Sequence, residues 1–272
     1  MWPPRIDLFT AYGAGYVLFL YGPLLLIVIF SFNDSIYVAF PLSGLTMKWY
    51  NEMFGNRFLL ESAVNSAKLA FAVALISTSI GLLAARALTR YRFKGRGLVC
   101  TMIAVPLVVP GIVFGIALLI LFRRFLGVEL SLYTIAAGHL LICVPFATMT
   151  LLSRLEGFDR SLEEASHNLG ENAWHTFWRV IFPLTMPGVI ASLLLTFTVS
   201  FDEVVLAFFL SGTEQTLPIY IFSQLRFPQR LPSVLALGTC ILVFSISLIA
   251  VAEWLRRGGG KSRIVKGSQH EL

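Results

Sequence analysis

Charge is scarce in this chain. Only 13% of its 272 residues are Asp, Glu, Lys or Arg, against 57% hydrophobic residues. With a mean hydropathy of +0.78, that balance excludes an ordinary water-soluble domain. Cysteine is scarcer still: Cys100, Cys143 and Cys240 all lie in apolar stretches with no C-x-x-C spacing. They form neither a disulfide framework nor a thiolate metal centre, and read as small packing residues. The four histidines, His139, His167, His175 and His270, are scattered, and no Ser-His-Asp set or Gly-rich dinucleotide turn accompanies them. The expectation is a protein without a catalytic or metal site of its own. GGGKS at Gly258–Ser262 imitates the end of a phosphate-binding loop, but Leu255 stands where that motif needs its first glycine. It is expected to belong to a disordered basic tail, 256–272.

What the chain has in abundance is long apolar runs. Leu8–Asn33, Gly97–Phe122, Leu130–Ser153, Val180–Phe201 and Leu231–Ala252 contain no charged residue, and Ser62–Ala85 contains only Lys68. Each is long enough for a bilayer core of about 30 Å, which takes roughly 20 helical residues. A lipid-exposed backbone must satisfy its own hydrogen bonds, so six transmembrane helices are expected, forming one all-α domain over 1–272. The first run exceeds the ~7–15 residues of a signal-peptide core and is read as retained.

Positive charge sorts by side. With the N-terminus inside, fourteen of the 21 Lys and Arg fall on inside segments and six on outside loops, with Lys68 in the membrane. Both termini are therefore expected in the cytoplasm. This sorting accounts for the net charge of +6 without nucleic-acid binding. In the third run, Pro106, Pro110 and the pair Gly111 and Gly115 are read as helix packing by small residues in preference to a hinge.

One inside segment, Ser161–Gly188, is polar and punctuated by glycine and proline. Ser161 and Glu164 have the spacing of a capping box, and Gly170 sits where a left-handed residue would end the helix. A second helix is expected over about 172–181, with Trp174, Phe177, Trp178 and Ile181 on one face, stopped by Pro183, and Pro187 opening the next span. The first helix is acidic and poor in apolar residues, which suits a protein partner better than an anionic lipid surface.

Glu164-Ala165-Ser166, Gly170 and then Val180-x-Phe182-Pro183 resemble the "EAA" loop of inner-membrane permease subunits of bacterial ATP-binding-cassette importers. Ser166, Val180 and Phe182 replace that pattern's Ala, Ile and Leu. The segments SFNDS, RYRFKGRG, SFDEVVLAFFLSG and LPIYIFSQLR extend the similarity, over nearly all the chain, to the second permease of the spermidine/putrescine branch. The resemblance implies a type I importer permease fold in which 154–185 forms coupling helices, with Glu164, Ala165, Ser166, Gly170 and Pro183 acting on a separate ATPase. It also implies a second similar permease, two ATPase copies that bind the ATP and Mg, and an external solute-binding protein.

Asp202 and Glu203 are expected within an otherwise apolar helix, in the outer half of the membrane. A carboxylate at the bilayer centre costs roughly 2.5–3.5 kcal/mol, so both should face protein or water. Two uses compete: attraction of a cationic polyamine along the path, or a fixed ion pair with Lys68. A different solute, or a proton-driven secondary transporter, are the alternatives; the latter would need charged relays on several helices.

Overall fold

The computed structural model describes residues 8–91 and 93–260, and they are almost entirely helical. They fold as two compact units, one from residues 8–57 with 223–260 and one from the described residues between 58 and 222.

In the first unit, α1 (Leu8–Ser31) packs on the long final helix, and α2 (Lys48–Gly55) docks on that helix too. Helix α2 has the sequence KWYNEMFG. Its Trp49 is buried and donates from Nε1 to the Asn33 carbonyl at 2.7 Å, anchoring the loop after α1.

In the second unit, α3 (Arg57–Arg90) is a single rod. The third apolar run is not. It breaks into α4 (Arg96–Val108) and α5 (Gly111–Ile120), bent by 99°, and α5 continues as a π turn over Leu121–Phe125. Pro110 supplies no N–H and pushes Val109 into an extended conformation (φ −73°, ψ 129°). The expectation of packing without a hinge is thus half corrected. Gly111 and Gly115 do pack, one turn apart, against Val205 and Phe209, yet the chain also turns sharply beside them.

Next come α6 (Leu132–Glu156), α7 (Ser161–Asn168), α8 (Ala173–Thr176), a π turn over Phe177–Ile181, and α9 (Phe182–Asp202). The short α10 (Val205–Leu210) and α11 (Leu217–Gln224) follow. Finally α12 (Leu231–Gly260) belongs to the first unit. Helix α12 carries the backbone into the segment expected as tail; residues 261–272 lie outside those described.

Among the described residues five helices are long and apolar enough to cross a membrane, or six if the bent pair α4 and α5 counts as one span. Their outward faces are apolar: Phe9, Phe19, Leu83 and Val108 are each more than 60% exposed, as a lipid-facing surface requires.

Two cores hold the second unit. One joins Val73 of α3, Leu118 of α5, Ile135 of α6 and Leu206 and Leu210 of α10; the other joins Leu82 and Ala85 of α3, Leu151 of α6, Ile181 of the π turn and Val189 of α9. Helices α3 and α6 meet closely enough that a Cβ on Gly81 would lie 2.7 Å from that of Ala147. Buried hydroxyls tie the helices together. Thr78 and Ser192 lie 3.0 Å apart, His139 Nδ1 is 2.9 Å from Ser200 Oγ, and Thr134 donates to the Leu210 carbonyl at 2.8 Å.

Candidate functional site: a polar corner and an acidic helix end

The polar segment after α6 forms a two-helix corner. Its start differs from the capping box expected at Ser161. Arg160, not Ser161, is the cap residue, and no Ser161 hydroxyl bond closes the helix. Asp159 does the work instead, accepting from the Ser161 amide at 3.0 Å. That amide, with the Ser161 hydroxyl, holds the Asp159 carboxyl below its ordinary range. The Glu164 amide, which a Ser161 cap would have taken, bonds instead to the Arg160 carbonyl at 3.1 Å, because the helix begins one residue earlier.

The end of α7 is as expected. Gly170 has φ +89°, its amide bonds to the His167 carbonyl at 2.9 Å, and the Glu171 amide bonds to the Ser166 carbonyl at 3.2 Å. This is a Schellman motif, which needs a left-handed residue at that point. Asn172 then caps α8, its side chain accepting from the His175 amide at 2.9 Å. Glu171 pairs with Arg179 and lies 3.5 Å from His175 Nδ1.

Pro183 does not stop the second helix. Residues 173–202 form one continuous helix, and Pro187 lies inside it. The π turn explains the difference. The Phe182 amide bonds five residues back to Phe177, so the ladder is already re-registered when Pro183 arrives without an N–H. The outer arm of the corner is therefore the same rod as a membrane span.

Glu164 and Ala165 point outward and are exposed, as are Leu162, Leu169 and Trp174. Ser166 is buried, and its hydroxyl is 2.9 Å from that of Thr176, pinning α7 to α8. Replacing Ser166 by alanine leaves the Thr176 hydroxyl buried and unpaired, at a cost of about 1–3 kcal/mol. Thermal unfolding of the purified chain should show this loss, and the double variant S166A/T176V should recover most of it.

The carboxylate buried at the corner is Glu163, which the sequence did not single out. It is 8% exposed, with Oε2 3.3 Å from Arg90 Nε and Oε1 4.0 Å from Arg86 Nη1. The signal was present: Arg86 and Arg90 are i, i+4 on α3, and Glu163 lies one residue before the recognised motif.

At the other end of α9 the chain breaks at the expected acids. Instead of sitting within a helix, Asp202 is the last residue of α9 and Glu203 is extended (φ −72°, ψ 107°). Glu203 Oε1 accepts from the amides of Val205 and Leu206 at 2.8 and 3.1 Å, so it caps α10. Asp202 is exposed. Among the described residues nothing hydrogen-bonds to or pairs with its carboxylate, and no ion pair joins Lys68 to either acid. The Lys68 pairing does not form.

The apolar helices, continuous and broken, and the polar corner between α6 and α9 suit a protein that crosses a membrane several times. Residues 77–258 match the family of binding-protein-dependent transport system inner membrane components, and the chain belongs to that family. Among its relatives, the spermidine/putrescine transport system permease protein PotC of Haemophilus influenzae is 36% identical over 88% of this chain and 92% of its own length. PotC of Escherichia coli K12 is 37% identical over 88% and 90%. The putrescine transport system permease protein PotI of the same strain is 34% identical over 87% and 85%. Among solved structures, a bacterial ABC transporter involved in alginate import superposes with a TM-score of 0.64 at 19% identity, covering 94% of this chain and 98% of that one. An alginate transporter in complex with its pentasaccharide-bound periplasmic protein gives 0.69 at 16% identity, covering 90% and 93%. The chain is thus a multi-pass inner-membrane permease with the importer fold.

Proposed function

We propose that this chain is one permease subunit of an ATP-driven importer for polyamines such as spermidine and putrescine, or for a related small cationic solute. It works with a second, similar permease, two ATPase copies that bind ATP and Mg, and an external solute-binding protein. Its termini face the cytoplasm. The distribution of Lys and Arg supports that orientation: Arg86, Arg90, Arg160 and Arg179 gather around the coupling corner.

The observation that carries the reading is mechanical. An exposed corner bearing Glu164 and Ala165 adjoins, through Ser166, Gly170 and the helix containing Pro183, a rod that runs unbroken to Asp202. An ATPase groove that grips the corner can displace the far end of this rod. ATP binding and hydrolysis then shift the population between outward and inward access.

Asp202 is the path residue in this reading, and Glu203 holds the helix that follows. At the end of α9 the last carbonyls lack intrahelical partners and carry the negative end of the helix dipole. The Asp202 carboxylate adds a full negative charge at the same place, so a passing ammonium group meets both. Such a site attracts without trapping, as passage requires.

Asp202→Asn is expected to lower uptake of spermidine by about 5- to 10-fold, the equivalent of about 1–1.4 kcal/mol for one hydrated charge pair. Glu203→Gln retains the accepting oxygen and should leave uptake close to wild type, whereas Glu203→Ala loses the cap, at about 0.5–2 kcal/mol. The measurement is radiolabelled uptake by the whole complex. Unchanged uptake in the Asp202 variant, with normal assembly, would remove Asp202 from the path.

A further inference from the structure

We propose that Glu163 is a positioning residue that fastens the coupling corner to α3, so that a push on the corner reaches a membrane helix with no direct backbone link to it. The inference rests on the reading of the corner as the ATPase contact. Helix α9 follows the corner through the continuous backbone of 173–202. Helix α3 has no such connection, because the chain from its end at Arg90 to α7 passes through α4, α5 and α6. Any force reaching α3 from the corner must travel through side chains.

Those side chains are assembled at the last turn of α3. Arg86 and Arg90 face Glu163, which divides its two carboxylate oxygens between them. The Arg86 guanidinium also lies over the Phe177 ring, 5.1 Å from its centroid, so it touches both arms of the corner. Arg160, at the start of α7, donates from Nη2 to the Thr89 carbonyl at 2.8 Å. A cavity of about 60 Å³ beside them is lined by Arg86, Arg90, Arg160, Glu156 and Glu163. Adjacent carboxylates of α7 therefore divide the labour: Glu164 is outward for a partner, Glu163 inward on α3. A buried carboxylate between two guanidiniums is held by charge and geometry together. Removing that charge leaves Arg86 Nη1, which is enclosed and has no hydrogen bond among the described residues, without its counter-ion.

The test uses the complete complex, with partner permease, ATPase and binding protein, reconstituted in lipid vesicles and supplied with spermidine. Solute uptake and ATP hydrolysis are measured on the same preparation. Glu163→Gln is expected to assemble and to hydrolyse ATP within about twofold of wild type, while solute moved per ATP falls at least about fivefold. The charge exchange E163R/R90E should restore at least half of that ratio, and Glu163→Arg alone should not. A role in folding alone would lower the amount of complex and leave the ratio unchanged. Wild-type solute per ATP in Glu163→Gln, or a loss explained wholly by missing complex, overturns the proposal. If the wild-type chain retains no ATPase in the first place, the importer reading fails instead, so the two failures are told apart.

Discussion

Replacing Gly81 by leucine will deplete the folded chain from the membrane fraction. A Cβ at this position would lie 2.7 Å from Ala147 Cβ, 2.9 Å from the Ala147 carbonyl carbon and 2.9 Å from the Thr148 amide nitrogen. Two of those three atoms are backbone, so no rotamer change on α6 can yield. Helices α3 and α6 would have to separate, and both cores of the second unit would loosen with them, since Val73, Leu82 and Ala85 of α3 pack there with Ile135 and Leu151 of α6. Overpacking by a few methylenes costs about 1–3 kcal/mol where side chains can adjust; here they cannot, and leucine exceeds that range. Gly81→Ala should already lower the unfolding temperature of the solubilised complex. Gly97, which has nothing within 4 Å of its would-be Cβ, provides the control: Gly97→Ala should leave assembly unchanged. A Gly81→Leu variant that assembled and melted like wild type would refute the close approach of these helices.

The second large effect is at Gly170 and has a different cause. There is open space around its would-be Cβ, but φ is +89°, where an L-residue other than Asn or Asp is strained by roughly 1–2 kcal/mol, and a β-branched one by more. Gly170→Val will unwind the Schellman turn that orients α7 against α8, whereas Gly170→Asn, which tolerates the left-handed region, will retain most function. In the reading proposed above, the valine variant still inserts in the membrane but releases the ATPase and loses at least about 90% of uptake, a tenfold change worth about 1.4 kcal/mol. Co-purification of the ATPase with each variant checks this. Equal retention by valine and asparagine would mean that the turn's backbone conformation does not matter.

The contrast between these positions marks what could be read in the sequence. Charge-free windows located the spans because lipid forbids unpaired backbone and charge over the whole length of a helix. Gly170 was legible because a left-handed C-terminal residue is a local requirement. The breaks were harder. At Pro110 the small residues beside it favour packing over a hinge, and the sharp turn shows only with α10 in place against Gly111 and Gly115. The break after Asp202 depends on Glu203 finding two amides of the next helix. Pro183 reads as a stop only under α-helical hydrogen bonding, and the π turn before it removes that condition. Choosing between Glu163 and Glu164 required knowing which side of α7 meets Arg86 and Arg90. Spacing along one helix does not carry that fact.

In the reading proposed above, this chain is a gate without a motor, moved through the corner at Glu164 to Gly170. Vesicles containing this chain and its partner permease, supplied with loaded binding protein and ATP, measure it directly when spermidine uptake is followed with and without the ATPase. Uptake is expected only when the ATPase is present and hydrolysing, and none when it is omitted, even with a proton gradient imposed. Uptake at the full rate without the ATPase, driven by the gradient, would contradict it.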